Sequence, residues 1–278
     1  MVDLAALRSS VEDLWDASAN LVPGDSGALN AVEEAIALLD DGSVRVAEVD
    51  PVTGAVEVNL WLKHAILLLF RLRSIETTEV GPFEYADKIP LKSGFAASGV
   101  RAVPGASARW GSFLDRGVVL MPSYVNIGAR VGAETMVDTW ATVGSCAQIG
   151  ARVHLSGGVG IGGVLEPPNA APVMVGDDAF VGSRSMITQG ARVGEGAVLG
   201  EATVLNPSIP VIDSESGDEI SRGEVPPWSV VVNAARPRKY PGGEFFLPCA
   251  LVVRRLDPGI RHDKAGLEAV LREHGVAT

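Results

Sequence analysis

Cysteine and aromatic residues are scarce in this chain, and each shortage excludes a class of protein. The only cysteines are Cys146 and Cys249, which are too few for a disulfide framework and are typical of a reducing compartment. Aromatic residues make up 5% of the 278 residues, whereas glycine occurs 32 times. This composition suits a tightly coiled fold, in which bulky side chains are hard to stack.

Basic residues and long apolar runs are also in short supply. The chain has 23 lysines and arginines against 34 aspartates and glutamates, and its net charge of −11 argues against a nucleic-acid partner. The most apolar run, Leu60 to Leu72, is short and contains charged residues, so it predicts a buried helix and no membrane span. The N-terminal stretch lacks a signal-peptide layout, which together with the cysteine count predicts a cytoplasmic protein.

What the sequence does contain is a six-residue repeat. Val125 to Glu166 divides into seven consecutive blocks that open with Val, Ile or Leu and mostly carry Gly second, and a second run covers Val175 to Val204. Regular blocks begin near Phe113, or one coil earlier near Arg101. A period this short predicts a β-solenoid.

The repeat also predicts which way the side chains point. We expect the first residue and the small fifth residue of each block to face inward, because short strands alternate sides. The second residue should occupy a corner, where Gly, Asn or Asp best tolerates unusual dihedral angles. Such a prism has unpaired ends and flat apolar faces, so we expect capping domains and the association of several copies.

Residues 1–95 are predicted to form a mixed, mostly helical domain. Apolar residues recur there at helical spacing in three segments, Leu4–Trp15, Ala28–Leu39 and Trp61–Arg73. Two short strands are expected between the second and third helices, and the segment from Ile75 to Pro90 is expected to be irregular.

Residues 96–235 are predicted to be the solenoid, with insertions near 167–174 and 206–224, the second of them hairpin-like. Residues 236–278 are expected to add a strand, Ala250–Val253, and a helix, Lys264–His274. The predicted fold is therefore mainly β, a hexapeptide-repeat β-helix with a helical N-terminal domain and a small C-terminal α/β extension.

Asp138 is the first candidate for chemistry, because it occupies a corner position that is Gly in the blocks before and after it. A turn-compatible aspartate explains this position as well as a functional one does. In the functional interpretation, a rigid ladder fixes a carboxylate beside Trp140, as a general base requires.

Two further features favour a ligand, although each also has a purely structural explanation. The segment Ser156–Gly163 is the most glycine-dense, which tight corners explain, but a bare backbone also lets a long ligand lie against the coil. Arg184 interrupts small residues; such an arginine is more often solvated, and its alternative role is to bind a carboxylate. Several basic residues near the C-terminus suit an anionic ligand or a solubilising tail: Arg236, Arg238, Lys239, Arg254, Arg255, Arg261 and Lys264.

A catalytic metal site is not predicted. Some hexapeptide solenoids hold zinc through three histidines, but His154 is the only histidine within these coils. Cys146 stands fourth in its block, facing outward, with no evident base nearby to make it a nucleophile, so we interpret it as structural.

Three long strings, Met121–Gly128, Met136–Gly150 and Val153–Pro167, closely resemble the tetrahydrodipicolinate N-succinyltransferases of the lysine and diaminopimelate pathway. The likeness covers nearly the whole chain. It includes further segments: Ile36–Asp40, Trp61–Arg71, Asp87–Pro90 and Val230–Val232.

The resemblance implies a homotrimer of left-handed parallel β-helices with active sites between subunits, and direct acyl transfer from an acyl-CoA to an amine. It assigns Arg101 and Asp138 to the amino-acid substrate, with Asp138 as partner or base for the amine. Further substrate contacts are expected at Tyr124, Asn126, Trp140, Ser156, Arg184 and Met186. Coenzyme A, a co-substrate rather than a resident cofactor, is expected at Gly157, Gly158, Gly182, Ser183, Gly200, Ala202, Arg236 and Lys239.

One block departs from the family pattern. Where the family carries an acidic residue after Arg-Ser, this chain has Met186, and Gln189 follows where relatives have Glu. A thioether cannot accept a proton. The departure keeps two alternatives open: a paralogue that uses acetyl-CoA or a related amino acid in specialised, β-lactam-toxin-like biosynthesis, and a non-catalytic trimeric scaffold.

Overall fold

The computed structural model describes residues 2–259 and residue 272, and its N-terminal part contains the three predicted helices. They are α1 (Leu4–Asp16), α2 (Ser26–Asp40) and α3 (Leu60–Leu72), with a short 3-10 turn at Ser18–Asn20. The carboxylate of Asp3 accepts hydrogen bonds at the start of α1, and that of Asp25 does so at the start of α2. The apolar faces of the helices form one buried cluster against the solenoid.

Two antiparallel hairpins accompany the helices. The first, β1 (Ala47–Val49) with β2 (Val56–Val58), was predicted. The second, β3 (Glu76–Val80) with β4 (Phe83–Asp87), corrects the expectation that this segment is irregular. Nearly all of its residues are exposed, so neither strand has a buried face, and the only alternation of apolar and polar residues, Phe83–Tyr85, is too short to indicate a strand.

From Arg101 onward the chain winds as a parallel β-helix of very short strands, as the repeat predicts. In chain order the coil strands are β5 (Arg101–Ala102), β6 (Ser107–Ala108), β7 (Phe113–Leu114), β8 (Val119–Leu120), β9 (Tyr124–Val125), β10 (Arg130–Val131), β11 (Met136–Val137), β12 (Thr142–Val143), β13 (Gln148–Ile149), β14 (His154–Leu155), β15 (Gly160–Ile161), β16 (Met174–Val175), β17 (Phe180–Val181), β18 (Met186–Ile187), β19 (Arg192–Val193), β20 (Val198–Leu199) and β21 (Val204–Leu205).

The strands stack into three flat faces, which each coil visits in the same order. Face I contains β7, β10, β13, β16 and β19; face II contains β5, β8, β11, β14, β17 and β20; face III contains β6, β9, β12, β15, β18 and β21. The N-terminal domain packs on the corner between faces III and I, where Ile127 and Cys146 join the helical cluster. This packing leaves the corner between faces II and III as a separate surface.

The interior follows the predicted inward positions, with one slip in phase. First and fifth residues such as Val125, Ala129 and Thr135 are buried. In the two earliest blocks, however, Leu114 and Leu120 point inward, and not Phe113 and Val119 as the hexad phase predicts. The block Leu120–Tyr124 has only five residues, because its corner forms without a left-handed residue and is closed by the Ser123 hydroxyl, which donates to the carbonyl of Met121.

The structure also reassigns the corner positions. The left-handed residue of a block is the fourth, for example Glu134, Trp140 and Arg152, and not the second as predicted. Second-position glycines are needed for a different reason. A Cβ built on Gly132 would lie 2.5 Å from the carbonyl carbon of Gly150 in the next coil, so close stacking, and not an unusual φ, excludes a side chain there.

Both predicted insertions interrupt the coils. The first is the loop 162–173, slightly earlier than predicted, since Met174 already belongs to β16. Lys63 anchors it, because its Nζ donates to the carbonyl oxygen of Ala170 at 2.6 Å. The second contains the predicted hairpin, formed by β22 (Pro210–Asp213) and β23 (Glu219–Arg222).

The solenoid ends in a long antiparallel arm. After β24 (Glu224–Val225) on face I, β25 (Ser229–Tyr240) begins as a face II strand and then runs straight past the corner, paired with β26 (Gly243–Arg255). The predicted strand Ala250–Val253 is thus part of a longer one, and the predicted boundary at 236 falls within β25.

The predicted helix Lys264–His274 lies outside the described residues, apart from Arg272, which is helical. Across the residues that the structure describes, no helix is long and apolar enough to span a membrane.

Candidate active site

The corner between faces II and III brings together most of the residues predicted to bind ligands. Asp138 directly follows β11 at this corner, and its backbone N–H donates to the carbonyl of Leu155 in the coil above. Met121 lies one coil below Asp138, and Ser156 lies one coil above it with its side chain buried. Gly182 and Gly200 continue the same column in the next two coils.

The two oxygens of the Asp138 carboxylate have different surroundings. Oδ1 accepts hydrogen bonds from the backbone N–H of Thr139 at 2.6 Å and from its hydroxyl at 3.3 Å, which closes the corner. Oδ2 lies 3.8 Å from Nε2 of His154, and the side chains of both residues are about one-third exposed. One oxygen of Asp138 therefore stabilises the turn through hydrogen bonds, and the other is directed towards His154.

Arg101 reaches the same corner from below. It stands on face II two coils beneath Met136, as the register through Val119 shows. One terminal guanidinium nitrogen, Nη2, lies 3.9 Å from the sulfur of Met121, the residue directly under Asp138. A cationic group and a carboxylate thus occupy neighbouring levels of one exposed surface.

Trp140 and Arg184 form the outer edge of this corner. Both adopt left-handed backbone angles, with φ of 61° and 59°, and the Trp140 side chain is 78% exposed. A Cβ built on Gly158 would lie 3.3 Å from Cγ of Arg184, so the absence of a side chain at Gly158 gives the arginine stem its place. An exposed guanidinium on a fixed stem is suited to binding an anion.

The glycines predicted to meet coenzyme A fall into two kinds. A Cβ on Gly182 would lie 2.6 Å from the backbone nitrogen of Glu201, so coil stacking alone requires that glycine. A Cβ on Gly157 would meet only the carbonyl oxygen of Thr139, at an ordinary 3.6 Å. Packing therefore does not explain Gly157, and its bare backbone keeps the surface flat beside Asp138. The other predicted contacts continue along this corner: Ser183, Gly200 and Ala202.

Tyr124 and Asn126 lie on a different part of the solenoid surface from Asp138. Tyr124 stands on face III, and Asn126 stands at the corner between faces III and I, where its Oδ1 accepts from Nη1 of Arg109 at 3.3 Å. Arg109 also pairs with Asp87 at 2.8 Å. Burial raises the pKa of the Tyr124 hydroxyl, an effect that Arg109 opposes and Asp87 reinforces. Within one chain these residues form a second group, separate from Asp138.

Met186 lies on face III between Gly160 and Val204, in the same column as Tyr124. Its thioether covers Gly160, where any Cβ would overlap the sulfur. The Met186 side chain is 44% exposed and Val204 is 37% exposed, so this part of the surface beside the corner is apolar.

The basic residues predicted to meet coenzyme A phosphates lie on the arm that overhangs this corner. Nη1 of Arg236 is 3.0 Å from Oε2 of Glu219, which offsets part of its charge. Lys239 is exposed and lies opposite Glu244 in the hairpin, and Arg238 stacks over Tyr240. Arg261 and Lys264 lie outside the described residues.

Cys146 is structural, as predicted, although its surroundings differ from the prediction. It points out of the coil but is fully buried beneath the N-terminal domain. Burial raises the pKa of its thiol to about 12, so no thiolate nucleophile forms there near neutral pH. In the part of the chain that the structure describes, no cluster of three or more His, Cys, Asp or Glu side chains could hold a metal ion.

His154 is the functional candidate that the sequence interpretation missed. It pairs with Met136 across face II and so lies diagonally beside Asp138, two residues further along. The repeat contained the information needed to find His154. A coil of three six-residue blocks places residues eighteen apart, such as Met136 and His154, directly above one another. Residues sixteen apart, such as Asp138 and His154, are therefore diagonal neighbours.

Comparisons with known proteins agree with this architecture. Residues 6–72 match the sequence profile described as tetrahydrodipicolinate N-succinyltransferase N-terminal. A crystal structure from Campylobacter jejuni, described as a candidate 2,3,4,5-tetrahydropyridine-2-carboxylate N-succinyltransferase, aligns with a TM-score of 0.54 at 18% identity, covering 80% of this chain and 62% of that one. At that identity the alignment supports the fold alone.

The family of this chain is shown by its similarity to two full-length relatives. The chain is 46% identical to the 2,3,4,5-tetrahydropyridine-2,6-dicarboxylate N-succinyltransferase of Nitrobacter winogradskyi, over 97% of this chain and 99% of the relative. It is 43% identical to the protein of the same name from Sodalis glossinidius, over 97% and 99%. Because such similarity extends over almost the entire length, the chain belongs to the tetrahydrodipicolinate N-succinyltransferase family.

Proposed function

We propose that this chain is an acyl-CoA-dependent N-acyltransferase that transfers a succinyl group from succinyl-CoA to the amine of tetrahydrodipicolinate, in lysine and diaminopimelate biosynthesis. The observation that carries the proposal is the 46% identity, over 97% of this chain, to a protein named for that acyl group and that acceptor. The surface around Asp138 supplies the chemical groups that the reaction needs.

In this reaction Asp138 orients the substrate amine and takes up its proton through Oδ2, the oxygen that Thr139 does not hold. Arg101 and Arg184 bind carboxylates of the amino acid or of the succinyl group, since a guanidinium matches a carboxylate through two parallel hydrogen bonds. The backbone N–H of Gly157 polarises the thioester carbonyl, whose oxygen gains negative charge as the amine attacks.

Coenzyme A would lie along the flat part of the corner. Its pantetheine arm follows the small residues Gly157, Gly182, Gly200 and Ala202, which leave the surface free of bulky side chains. Its phosphates face Arg236 and Lys239 on the overhanging arm, the nearest concentration of positive charge in an acidic protein.

The proposal includes a cytoplasmic homotrimer with active sites between subunits. One chain presents two groups of predicted substrate residues on different corners, Asp138 on one and Asn126 on the other. Closed rotational symmetry can bring such different surfaces together. The high exposure of Trp140 supports the same arrangement, since a large exposed aromatic side chain often marks an interface.

The test is the release of thiol from succinyl-CoA in the presence of tetrahydrodipicolinate. We expect Asp138→Asn to lower kcat by a factor of about 100 or more, because general-base groups typically contribute 10²–10⁴. Asp115→Asn is the matched control. Asp115 follows the inward-pointing Leu114 as Asp138 follows Val137, and its carboxylate accepts from the backbone N–H of Arg116 at 2.7 Å. Near-wild-type turnover of Asp138→Asn would refute the assignment of the base.

Met186 favours a second candidate, transfer of a shorter acyl group such as acetyl, or use of a related amino acid in specialised metabolism. A thioether cannot pair with a charged group, and the exposed surface that it shares with Val204 is apolar. The same assay with acetyl-CoA separates the two donors. Tight ligand binding by a folded trimer without thiol release from either donor would instead support a scaffold.

A further inference from the structure

His154 occupies a constrained position beside the proposed base. Its ring stacks on Phe180 in the coil above, with ring centres 5.2 Å apart and planes 27° apart. Met136 is its neighbour in the coil below. Two apolar side chains thus border the imidazole along face II, and the Asp138 carboxylate faces its Nε2 at 3.8 Å.

The other oxygen of Asp138 makes this contact specific. Because Oδ1 is held by Thr139, the carboxylate cannot rotate freely, and Oδ2 stays directed towards the imidazole. The separation is an ion-pair distance but too long for a hydrogen bond. Catalytic hydrogen bonds are often long without substrate and tighten in the complex, so a small shift on substrate binding would close it.

The reaction needs a group that can hold a proton near neutral pH. Carboxylates in water titrate near pH 4 and therefore hold a proton weakly at pH 7, whereas imidazoles titrate near pH 6.5. A proton acceptor works best when its pKa lies near the working pH. An imidazole within reach of the carboxylate therefore supplies the better resting place for a proton taken from an amine.

We propose that His154 is a positioning and proton-sharing residue for Asp138, an inference that rests on the proposed function. Tetrahydrodipicolinate is a cyclic imine, so water first adds across its C=N bond and gives the substrate nitrogen a proton. That nitrogen then bonds to the thioester carbonyl carbon, and its proton passes through Oδ2 of Asp138 to Nε2 of His154. When the resulting oxyanion collapses, the C–S bond breaks and the thiolate of coenzyme A takes up that proton. His154 thus ends the cycle neutral, and the proton leaves with the thiol.

The first test is His154→Gln, which keeps a polar group but removes the titrating one. We expect kcat for thiol release to fall by about 100-fold with a change in KM of only a few fold, as for lost proton transfer. The acid limb of the kcat profile should move to lower pH, because the imidazolium that blocks the wild type is absent. Phe180→Leu is the control: it removes the stacking partner, keeps the imidazole, and should retain the wild-type limb.

A second measurement does not depend on the folding of that variant. The imidazole of His154 is titrated by NMR in the wild type and in Asp138→Asn. We expect its pKa to drop in the variant, because a negative charge within ion-pair distance stabilises the imidazolium.

Each outcome has a distinct meaning. Identical titrations, or a His154→Gln enzyme with an unchanged kcat and acid limb, would overturn the role of His154 while leaving the acyltransferase intact. A wild type that releases no thiol from succinyl-CoA or acetyl-CoA would instead refute the proposed function, and the titration would still measure the pairing.

Discussion

At the scale of single residues, a side chain at the second position of a block is the clearest departure from the repeat. Glycine stands there because the next coil stacks too closely for a Cβ, as at Gly132 and Gly182. At Asp138 a side chain is present instead, and its carboxylate accepts a hydrogen bond from the backbone N–H of Thr139. The sequence identified the exception, but only the structure showed that one of its oxygens faces His154.

This distinction between glycines can be tested. Gly132→Ala should destabilise the protein by about 1–3 kcal/mol, because the added methyl group meets backbone atoms that can yield only by a coil shift. Gly157→Ala should leave stability nearly unchanged, since its methyl group has room, and should instead raise KM for the acyl-CoA. Urea unfolding and steady-state kinetics on both variants provide the measurements. Equal loss of stability in the two variants would contradict this division.

At the scale of elements, the repeat predicted the coil strands well and the irregular parts poorly. The sequence does not reveal that the block Leu120–Tyr124 has only five residues, because Val119 and Leu120 are both apolar and either could face inward. The hairpin β3–β4 is exposed on both sides, so periodicity carries no information about it. Periodic patterns arise from burial, so an element without a buried face cannot be predicted from them.

Lys63 shows how a residue outside the repeat fixes an element within it. Its side chain is fully buried, and burial lowers the pKa of its ammonium group. We expect Lys63→Met to loosen the loop 162–173, because the carbonyl of Ala170 loses its donor. The lost hydrogen bond, about 1–3 kcal/mol, is offset by relief of the buried charge, so global stability should change little.

Hydrogen exchange resolved by peptide tests this anchor. Amides in 162–173 should exchange faster in Lys63→Met than in the wild type, with the coils of face II unaffected. Lys239→Met is the control, since it removes an exposed lysine from the arm. Unchanged exchange in the loop would mean that the loop is held by other contacts.

At the scale of the whole molecule, one chain carries its predicted substrate residues in two separate groups. One chain places Arg101 and Asp138 on one corner and Asn126 on the other corner of face III. If each active site combines both groups from different subunits, mixed trimers of two defective variants should recover activity. In a closed trimer, each mixed trimer of Asp138→Asn with Asn126→Ala should regain one of its three sites, about one third of the wild-type activity.

The matched control mixes Asp138→Asn with Arg101→Ala. Both defects then lie on the same corner, so every mixed site contains at least one of them and no activity should return. Co-expression with two affinity tags, followed by thiol-release assays of purified mixed trimers, measures both cases. Absence of recovery in the first pair, with each parent folded and trimeric, would place the complete site within one chain.

The sequence by itself determined the β-helix, its inward positions, the two insertions and the corner residue Asp138. It could do so because a six-residue period records locally which positions are buried. The tertiary structure alone decided which blocks lose phase, which glycines the stacking requires, and which residues become neighbours between coils. His154 and Asp138 meet because successive coils stack at a fixed strand spacing, a relation that joins residues far apart in sequence.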